Sequence, residues 1–366
     1  MFLQGFLLVS VALSVINASP FTYTEDALKD QVTELPGLND KLSYNQFSGY
    51  INLPGTQKNI HYWLVEAEQD ADTKPLVFWT NGGPGCSGLI GFLTEQGPFR
   101  PTAEGDIQFN PYAWNKIANM VFLEQPVGVG FSYSDNDDDY HIGDDQAAQD
   151  NLATIRGFLE RFPEFAKTPI YLTSESYGGH YLPTWAAAII DYNDAVTDSA
   201  QRINFQGFAV GNPYTDYYSG TGAEMETYWG KQLLPKPSWD KYVASGCQEV
   251  SQMMNNSVCS YLILDFMRKI GNLNPYALDF PVCLSGQQRA FREFIYEQDT
   301  KALRVYDPCG DEYAAAYLNR DDVKAAIHVR SDIAWDECSR TIKYKLADKM
   351  LPMEKYYPQI LNSNTH

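Results

Sequence analysis

The run Ile170-Tyr-Leu-Thr-Ser-Glu-Ser-Tyr-Gly-Gly-His180 decides the fold class of this chain. Its apolar, β-prone start precedes a turn, and the apolar segment Tyr181 to Ile190 follows. A strand, a sharp turn and a helix form the setting of a nucleophile elbow, whose serine sits on the strained turn. The helix N-terminus places partial positive charge where an oxyanion would form. The pattern predicts Ser176 as a nucleophile, with Ser174 replacing the usual first glycine; an ordinary serine-rich turn is the alternative.

A second glycine-rich turn lies earlier in the chain, in the run Pro75-Leu-Val-Phe-Trp-Thr-Asn-Gly-Gly-Pro-Gly-Cys-Ser-Gly88. Glycines allow a backbone to approach a reacting carbonyl without a Cβ in the way. In folds that carry a nucleophile elbow, a loop after an early strand supplies one N–H of the oxyanion hole, and the residue after the nucleophile supplies the other. This run therefore predicts half of an oxyanion hole, whereas a plain turn is the simpler interpretation.

Short apolar runs recur along the chain at the spacing of an α/β protein. Phe47 to Leu53 and His61 to Glu68 alternate apolar and polar residues across a Pro-Gly turn, which predicts an antiparallel hairpin. Buried parallel strands are expected at Leu76 to Thr80, Met120 to Glu124, Ile170 to Thr173 and Ile203 to Val210. A helical pattern, Asp144 to Phe162, lies between two of them. Both turns then fall at carboxyl ends of strands, where open α/β sheets bind ligands.

Three long motifs in this order resemble the serine carboxypeptidase family. They are the elbow run, the glycine-rich run and the segment Asn119-Met-Val-Phe-Leu-Glu-Gln-Pro-Val-Gly-Val-Gly-Phe-Ser-Tyr133, and Gly207-Phe-Ala-Val-Gly-Asn-Pro213 adds a further match. The resemblance extends from about Leu42 onward. It implies an α/β-hydrolase fold with a mostly parallel central sheet, helices on both faces and an inserted helical cap.

The resemblance also implies the roles of individual residues. Ser176 would attack the last peptide bond, and the N–H groups of Gly83 and Tyr177 would hold the oxyanion. The free C-terminal carboxylate of a peptide or protein substrate would be bound by Asn81, Gly82, Glu95 and Glu175. Two shielded glutamates cannot both ionise, so one stays protonated and can donate a hydrogen bond to that carboxylate. Binding should therefore weaken as pH rises. Relatives that transfer acyl groups to small alcohols are the alternative function.

Domain organisation follows from a change in composition. Residues 19–366 are expected to form one domain, with a helical cap at about residues 216–306 that is rich in Met, Tyr and Cys. The acidic loop at residues 135–139 is interpreted as a solvated turn rather than a calcium site. The sequence shows no metal site with credible ligand spacing, no cofactor motif and no dinucleotide or phosphate loop.

Charge and the N-terminus indicate the compartment and the partners. A formal charge of −19 over 366 residues argues against nucleic acid and anionic membranes as partners. The apolar stretch Phe6 to Ile16 is too short to span a bilayer and predicts a signal peptide over residues 1–18, although it lacks a preceding Lys or Arg. No later segment is long and apolar enough to cross a membrane. We expect the secretory pathway, with a vacuolar, lysosomal or extracellular destination.

The cysteines and a glycosylation sequon also indicate the secretory pathway. Six cysteines suggest three disulfides, for which about 15 pairings exist. The family resemblance implies the pairs Cys86–Cys338, Cys247–Cys259 and Cys283–Cys309. The sequon Asn255-Asn-Ser257 predicts glycosylation of Asn255 at the surface.

A serine nucleophile needs a base, which in this fold is a His that follows an acid late in the chain. The segment Met350 to Leu361 resembles the helix before the strand that carries the acid, and the sequence ends at His366. His180 is expected to pack in its helix, and none of the other histidines has the right context. We therefore expect an incomplete triad, and an inactive, truncated form of a carboxypeptidase. The alternative is a complete, noncatalytic peptide-binding protein.

Overall fold

The computed structural model describes residues 21–249, 251, 257–283, 308–345 and 347–363. The expected signal peptide (residues 1–18), Asn255 and His366 lie outside the described residues. The strands are β1 (Gln46–Asn52), β2 (Lys58–Val65), β3 (Leu76–Thr80), β4 (Phe99–Pro101), β5 (Ile107–Phe109), β6 (Asn119–Leu123), β7 (Tyr133–Ser134), β8 (His141–Ile142), β9 (Ile170–Glu175), β10 (Phe205–Gly211) and β11 (Lys343–Tyr344). The helices are α1 (Glu25–Lys29), α2 (Leu89–Thr94), α3 (Asp144–Arg161), α4 (Gly178–Ala195), α5 (Ala223–Gly230), α6 (Lys236–Ala244), α7 (Ser257–Ile270), α8 (Gly310–Leu318), α9 (Asp321–Ala326) and α10 (Tyr357–Asn362).

One central sheet organises these elements, with strands in the order β1-β2-β6-β3-β9-β10 and with β7 paired to β2. Strands β6, β3, β9 and β10 run parallel to one another, β2 pairs antiparallel with β6, and β1 and β2 form the antiparallel hairpin expected from the sequence. Strand β3 has the predicted bounds, and β6 is shifted by one residue toward the N-terminus. All five residues of β3 are buried, because a parallel strand with both faces covered needs apolar side chains on each.

Helices cover both faces of the sheet. On one face, α3 and α4 pack through Phe158 and Trp185 against a core that includes Phe78 and Leu172 from the strands. On the other face, α2 and α8 bury Phe92 and Tyr317 with further strand residues. The long helices α3 and α4 also contact each other. This layering confirms the predicted α/β architecture and leaves the carboxyl ends of β3 and β9 open for a site.

The segment expected to form a cap is helical where it is described. Helices α5, α6 and α7 pack around Tyr242, Leu262 and Phe266, a cluster separate from the two cores of the sheet. Residues 284–307 lie outside the described part of the chain, so the predicted boundaries of the cap stay a prediction.

The structure pairs the six cysteines as Cys86–Cys338, Cys247–Cys259 and Cys283–Cys309, the same pairs that the family resemblance implies. The first pair joins segments 252 residues apart and attaches the glycine-rich turn to the C-terminal part of the chain. Within the described residues, no helix combines the length and the apolar character that a membrane crossing requires.

Candidate active site

Ser176 occupies a sharp turn between β9 and α4. Its φ is +54°, in the left-handed region that non-glycine residues rarely adopt, and Tyr177 directly precedes the helix. The turn is held from both sides: the Ser176 N–H donates to Gly211 O at 3.0 Å, and the Tyr214 N–H donates to Ser176 O at 2.7 Å. Close packing beneath the turn leaves no room for a Cβ at position 178, which would lie 2.1 Å from Ser174 Oγ. The strand-turn-helix setting predicted from the sequence is therefore present.

The glycine-rich turn after β3 packs directly on this elbow. A Cβ added to Gly82 would lie 2.5 Å from the Tyr177 nitrogen and 3.0 Å from Ser176 Cβ. The following residue, Gly83, has a φ of +112° and is exposed. Since Gly82 has no side chain, the two turns meet backbone to backbone, which is the approach that the glycines predicted.

Two backbone N–H groups remain available at this junction. Neither the Gly83 nor the Tyr177 nitrogen donates to another group in the described part of the chain. Ser176 between them is half-buried, so a substrate could reach it. Unpaired donors next to a nucleophile, at a helix N-terminus, can stabilise the negative charge that develops during attack on a carbonyl.

A polar cluster adjoins the serine. Asn81 is 2 % exposed and fixed by two donors to its Oδ1, the Trp79 indole at 2.8 Å and the Gly91 N–H at 3.1 Å. Its Nδ2 therefore points the other way and donates to Glu175 Oε1 at 2.8 Å and to Glu95 Oε1 at 3.2 Å. Asn81 thus brings together two glutamates that are 80 residues apart in sequence.

The electrostatics of this cluster favour a proton on at least one glutamate. Burial raises the pKa of Glu95 to about 7, and the nearby charges of Glu175 and Asp311 add to the increase. Burial also raises the pKa of Glu175, against a lowering by the hydrogen bond from Asn81. A carboxyl group that keeps its proton can donate a hydrogen bond, so a substrate carboxylate could bind here without repulsion.

No histidine in the described ranges is hydrogen-bonded to Ser176. His180 donates from Nδ1 to Asp144 Oδ2 at 2.9 Å, and His61 is paired at 2.8 Å with Glu124. His328 is bonded to Ser48 O at 3.1 Å, while His141 is exposed in β8. The general base expected for a serine nucleophile is thus not supplied by these residues.

Sequence reasoning missed several residues that support the site. The Tyr181 hydroxyl accepts the Gly85 N–H at 3.0 Å and so ties the glycine-rich turn to the helix that follows the serine. The Trp79 indole fixes the orientation of the Asn81 amide. Tyr181 follows Tyr177 by four residues on one helix face, a signal available in the sequence, but its partner across the fold was not.

Ligands of the kinds that bind metals come together at Cys283, Cys309 and Glu312 in the described residues. The two cysteines form a disulfide, and a disulfide sulfur lacks the thiolate that binds a metal. This grouping therefore does not provide a metal site.

Comparisons with known proteins agree with this geometry. The family model described as serine carboxypeptidase matches residues 36–366. Serine carboxypeptidase-like 27 of Arabidopsis thaliana is 34% identical, covering 98% of this chain and 80% of the relative. Serine carboxypeptidase 24 of the same plant is 36% identical, with coverage of 96% and 78%.

Among solved structures, the chain is similar to KEX1ΔP, a prohormone-processing carboxypeptidase from Saccharomyces cerevisiae. The TM-score is 0.76 at 21% identity, over 93% of this chain and 77% of the other. Together with the central sheet and its flanking helices, this likeness shows an α/β-hydrolase fold.

Proposed function

The chain belongs to the serine carboxypeptidase family, and from that premise we propose that its site binds the C-terminus of a peptide or protein and releases the last amino acid. One observation carries the proposal. The half-buried Ser176 lies beside two backbone N–H groups that donate to no other group of the described residues, and beside the cluster of Asn81 and two glutamates. A nucleophile, an oxyanion site and a carboxylate site in contact are what removal of a terminal residue requires.

The chemistry proceeds in two steps. Ser176 Oγ attacks the carbonyl carbon of the last peptide bond, and the N–H groups of Gly83 and Tyr177 donate to the oxygen as it becomes negative. The C–N bond then breaks, the departing amine takes up a proton, and an ester to Ser176 remains. Water attacks the ester, releases the shortened peptide and returns the proton to Ser176. The serine proton must pass to a base, which the described residues do not supply.

The carboxylate site sets the position of the substrate. A protonated Glu95 or Glu175 acts as a donor to the terminal carboxylate, and Asn81 Nδ2 becomes a second donor when it exchanges one of its two glutamate bonds for the substrate. Gly82 allows the peptide to lie against the backbone. This places the terminal carboxylate and the scissile carbonyl one residue apart, next to Ser176. An amidated C-terminus lacks the negative charge and one of the two acceptor oxygens, and it presents an NH2 donor instead, so the site discriminates against it.

The decisive experiment measures release of terminal amino acids. The purified chain is incubated at pH 5 with a peptide that has a free C-terminus, and with the same peptide amidated; products are quantified by mass spectrometry. Release from the free acid alone, abolished in the Ser176→Ala variant, would establish the proposed reaction and overturn the expectation that the chain is inactive because its triad is incomplete. If the protein neither releases the terminal residue nor binds the free-acid peptide, the proposed function is wrong.

A noncatalytic peptide-binding function is the second candidate. The observation that favours it is that no histidine of the described residues is hydrogen-bonded to Ser176. In this case the carboxylate site is used without the chemical step. Binding of the free-acid peptide with no release of its last residue, in the presence of intact Ser176, would establish it.

The cellular setting also belongs to this proposal. Three disulfides suit the secretory pathway, because they persist in oxidising compartments. We place the protein in an acidic lumen such as a vacuole or lysosome, since a raised Glu95 pKa favours the binding-competent proton at low pH. Extracellular secretion is the alternative destination.

A further inference from the structure

Beneath the elbow lies a buried polar cluster that the reaction described above does not use. We define the Asp144 cluster as Asp144 with the three side chains that bond to it, those of Tyr177, His180 and Tyr344. Asp144 Oδ1 accepts the Tyr344 hydroxyl at 2.6 Å and the Tyr177 hydroxyl at 3.1 Å. Its Oδ2 is 2.9 Å from His180 Nδ1. Both carboxylate oxygens are therefore occupied by donors.

The charge of Asp144 is compensated although the residue is only 4 % exposed. It is the first residue of the 18-residue helix α3, where the helix dipole favours a negative charge. Because a carboxylate can only accept, the His180 Nδ1 atom that faces it carries a proton. Lys349 lies close enough to interact with the same charge, while Asp348 accepts the Asp144 backbone N–H at 2.9 Å.

The Asp144 cluster fixes the side chain of Tyr177, the residue that follows the nucleophile. The Tyr177 ring stacks on the His180 imidazole with centroids 4.5 Å apart and planes 15° apart. Tyr181 and Tyr344 meet the same ring edge to face at 5.1 and 5.6 Å. Tyr177 is 3 % exposed and His180 is fully buried, so the Tyr177 side chain is held at its ring and at its hydroxyl.

The backbone of Tyr177 carries one of the two unpaired N–H groups beside Ser176. A side chain fixed at both ends restricts rotation about the Tyr177 backbone, and preorganised donors are what lower the energy of an oxyanion. The second N–H is tied to the same helix, because Gly85, two residues after Gly83, donates to the Tyr181 hydroxyl. The first turn of α4 thus positions both sides of the oxyanion site.

We propose that Asp144 and His180 are positioning residues that aim the Tyr177 N–H at the oxyanion through the Tyr177 side chain. This inference rests on the proposed function, since it assigns the cluster a role in the same site. Neither residue touches the substrate. Their removal should therefore slow the chemistry at Ser176 while the separate carboxylate site keeps its affinity for peptides.

The test compares two readouts on the full chain. The first is the second-order rate at which a fluorophosphonate probe labels Ser176, which requires the oxyanion site. The second is the Kd of a fluorescent free-acid peptide, which requires Asn81 and the glutamates. We expect Asp144→Asn and Tyr177→Phe to slow labelling by about tenfold or more and to change the peptide Kd by less than about threefold.

Tyr62→Phe provides a matched control. Tyr62 is buried and its hydroxyl donates to Asp30 Oδ2 at 2.6 Å, so this variant also loses a tyrosine-carboxylate hydrogen bond, away from the site. It should lower the melting temperature by a similar amount and leave labelling within about twofold. Unchanged labelling in Asp144→Asn would overturn the inference. A parallel loss of labelling, peptide affinity and melting temperature would do so too, since it indicates a purely structural role.

A second measurement decides the case if the wild-type chain does not label. In protein labelled with ¹⁵N-tyrosine, the Tyr177 amide order parameter should fall from a rigid value of ~0.85 to below ~0.6 in Asp144→Asn, but not in Tyr62→Phe. An unchanged order parameter contradicts the inference. Failure of the proposed function is distinct, because it appears as absence of peptide binding in the wild-type protein.

Discussion

Gly82 and Tyr177 are 95 residues apart in sequence, yet a Cβ on Gly82 would lie only 2.5 Å from the Tyr177 nitrogen. This contact joins the turn after β3 to the turn after β9. Because β3 and β9 are adjacent and parallel in the sheet, both turns leave it at the same edge. The oxyanion site exists only where these two backbones meet.

This contact predicts that Gly82→Ala damages the site. The new methyl group would collide with backbone atoms that cannot move aside, so we expect a loss of about 1 to 3 kcal/mol in the free energy of unfolding. Fluorophosphonate labelling of Ser176 should fall at least tenfold. Gly230→Ala is the control, because a Cβ at that position has no neighbour within 4 Å. Equal effects of both substitutions would contradict the predicted role of the close approach.

Ser176 itself is tested by removing its hydroxyl. If the wild-type chain releases terminal amino acids, Ser176→Ala should reduce that rate by at least ~10³-fold, and in either case the Kd for a free-acid peptide should stay within about threefold. Ser174→Ala is the matched control, since Ser174 lies two residues earlier on β9 and is buried. Residual activity in Ser176→Ala that equals the wild-type rate would assign the nucleophile elsewhere.

Peptide binding should depend on pH through Glu95. Its pKa of about 7 means that the donor proton is present at pH 5 and lost as pH rises through 7. One unit above the pKa about a tenth of the protein is protonated, so the Kd for a free-acid peptide should rise about tenfold by pH 8. Fluorescence anisotropy with Ser176→Ala protein measures this. The Glu95→Gln variant keeps a donor at every pH, so its Kd should stay nearly constant, and a tenfold rise there would refute the assignment.

The same group predicts a pH dependence of stability. The pKa of Glu95 in the folded protein lies above the value of 4.5 in the unfolded chain. The contribution of this group to the free energy of unfolding is therefore fully present below pH 4.5 and is lost as pH rises through 7. Glu95→Gln removes this loss. We expect its free energy of unfolding to exceed that of the wild type by about 2 kcal/mol at pH 7.5 and to match it at pH 4. Urea titrations at the two pH values measure the difference, and a gap that is larger at pH 4 would contradict the prediction.

The Cys86–Cys338 disulfide should increase the free energy of unfolding and help to position the glycine-rich turn at the candidate active site. It attaches the glycine-rich turn to a segment that also contacts it through two hydrogen bonds, Ser87 N to Glu337 O and Ser339 N to Gly85 O. In the double variant Cys86→Ser/Cys338→Ser, the free energy of unfolding should fall by about 2 to 4 kcal/mol, and the fluorophosphonate probe should label Ser176 more slowly. The Cys247→Ser/Cys259→Ser variant is the comparison, because that pair lies among the cap helices. Slower labelling of Ser176 in Cys247→Ser/Cys259→Ser but not in Cys86→Ser/Cys338→Ser would contradict this prediction.

Local sequence determined the elements of this protein. The apolar runs specify the strands, and the serine and glycine turns specify where the backbone must bend, because these properties depend on neighbours in the chain. Motif order was enough to indicate the family, and through it the residues of the candidate site.

Tertiary structure alone decided what those residues contact. Asn81 meets Glu175 because β3 and β9 pair in register, and it meets Glu95 because α2 packs on β3. The Glu95 pKa rises because that meeting place is buried and because Glu175 and Asp311 lie nearby. The bond from Tyr177 to Asp144 likewise joins α3 to the elbow across 33 residues. Burial and long-range register depend on the whole folded chain, so a pattern in the sequence can name the donors and acceptors but cannot pair them.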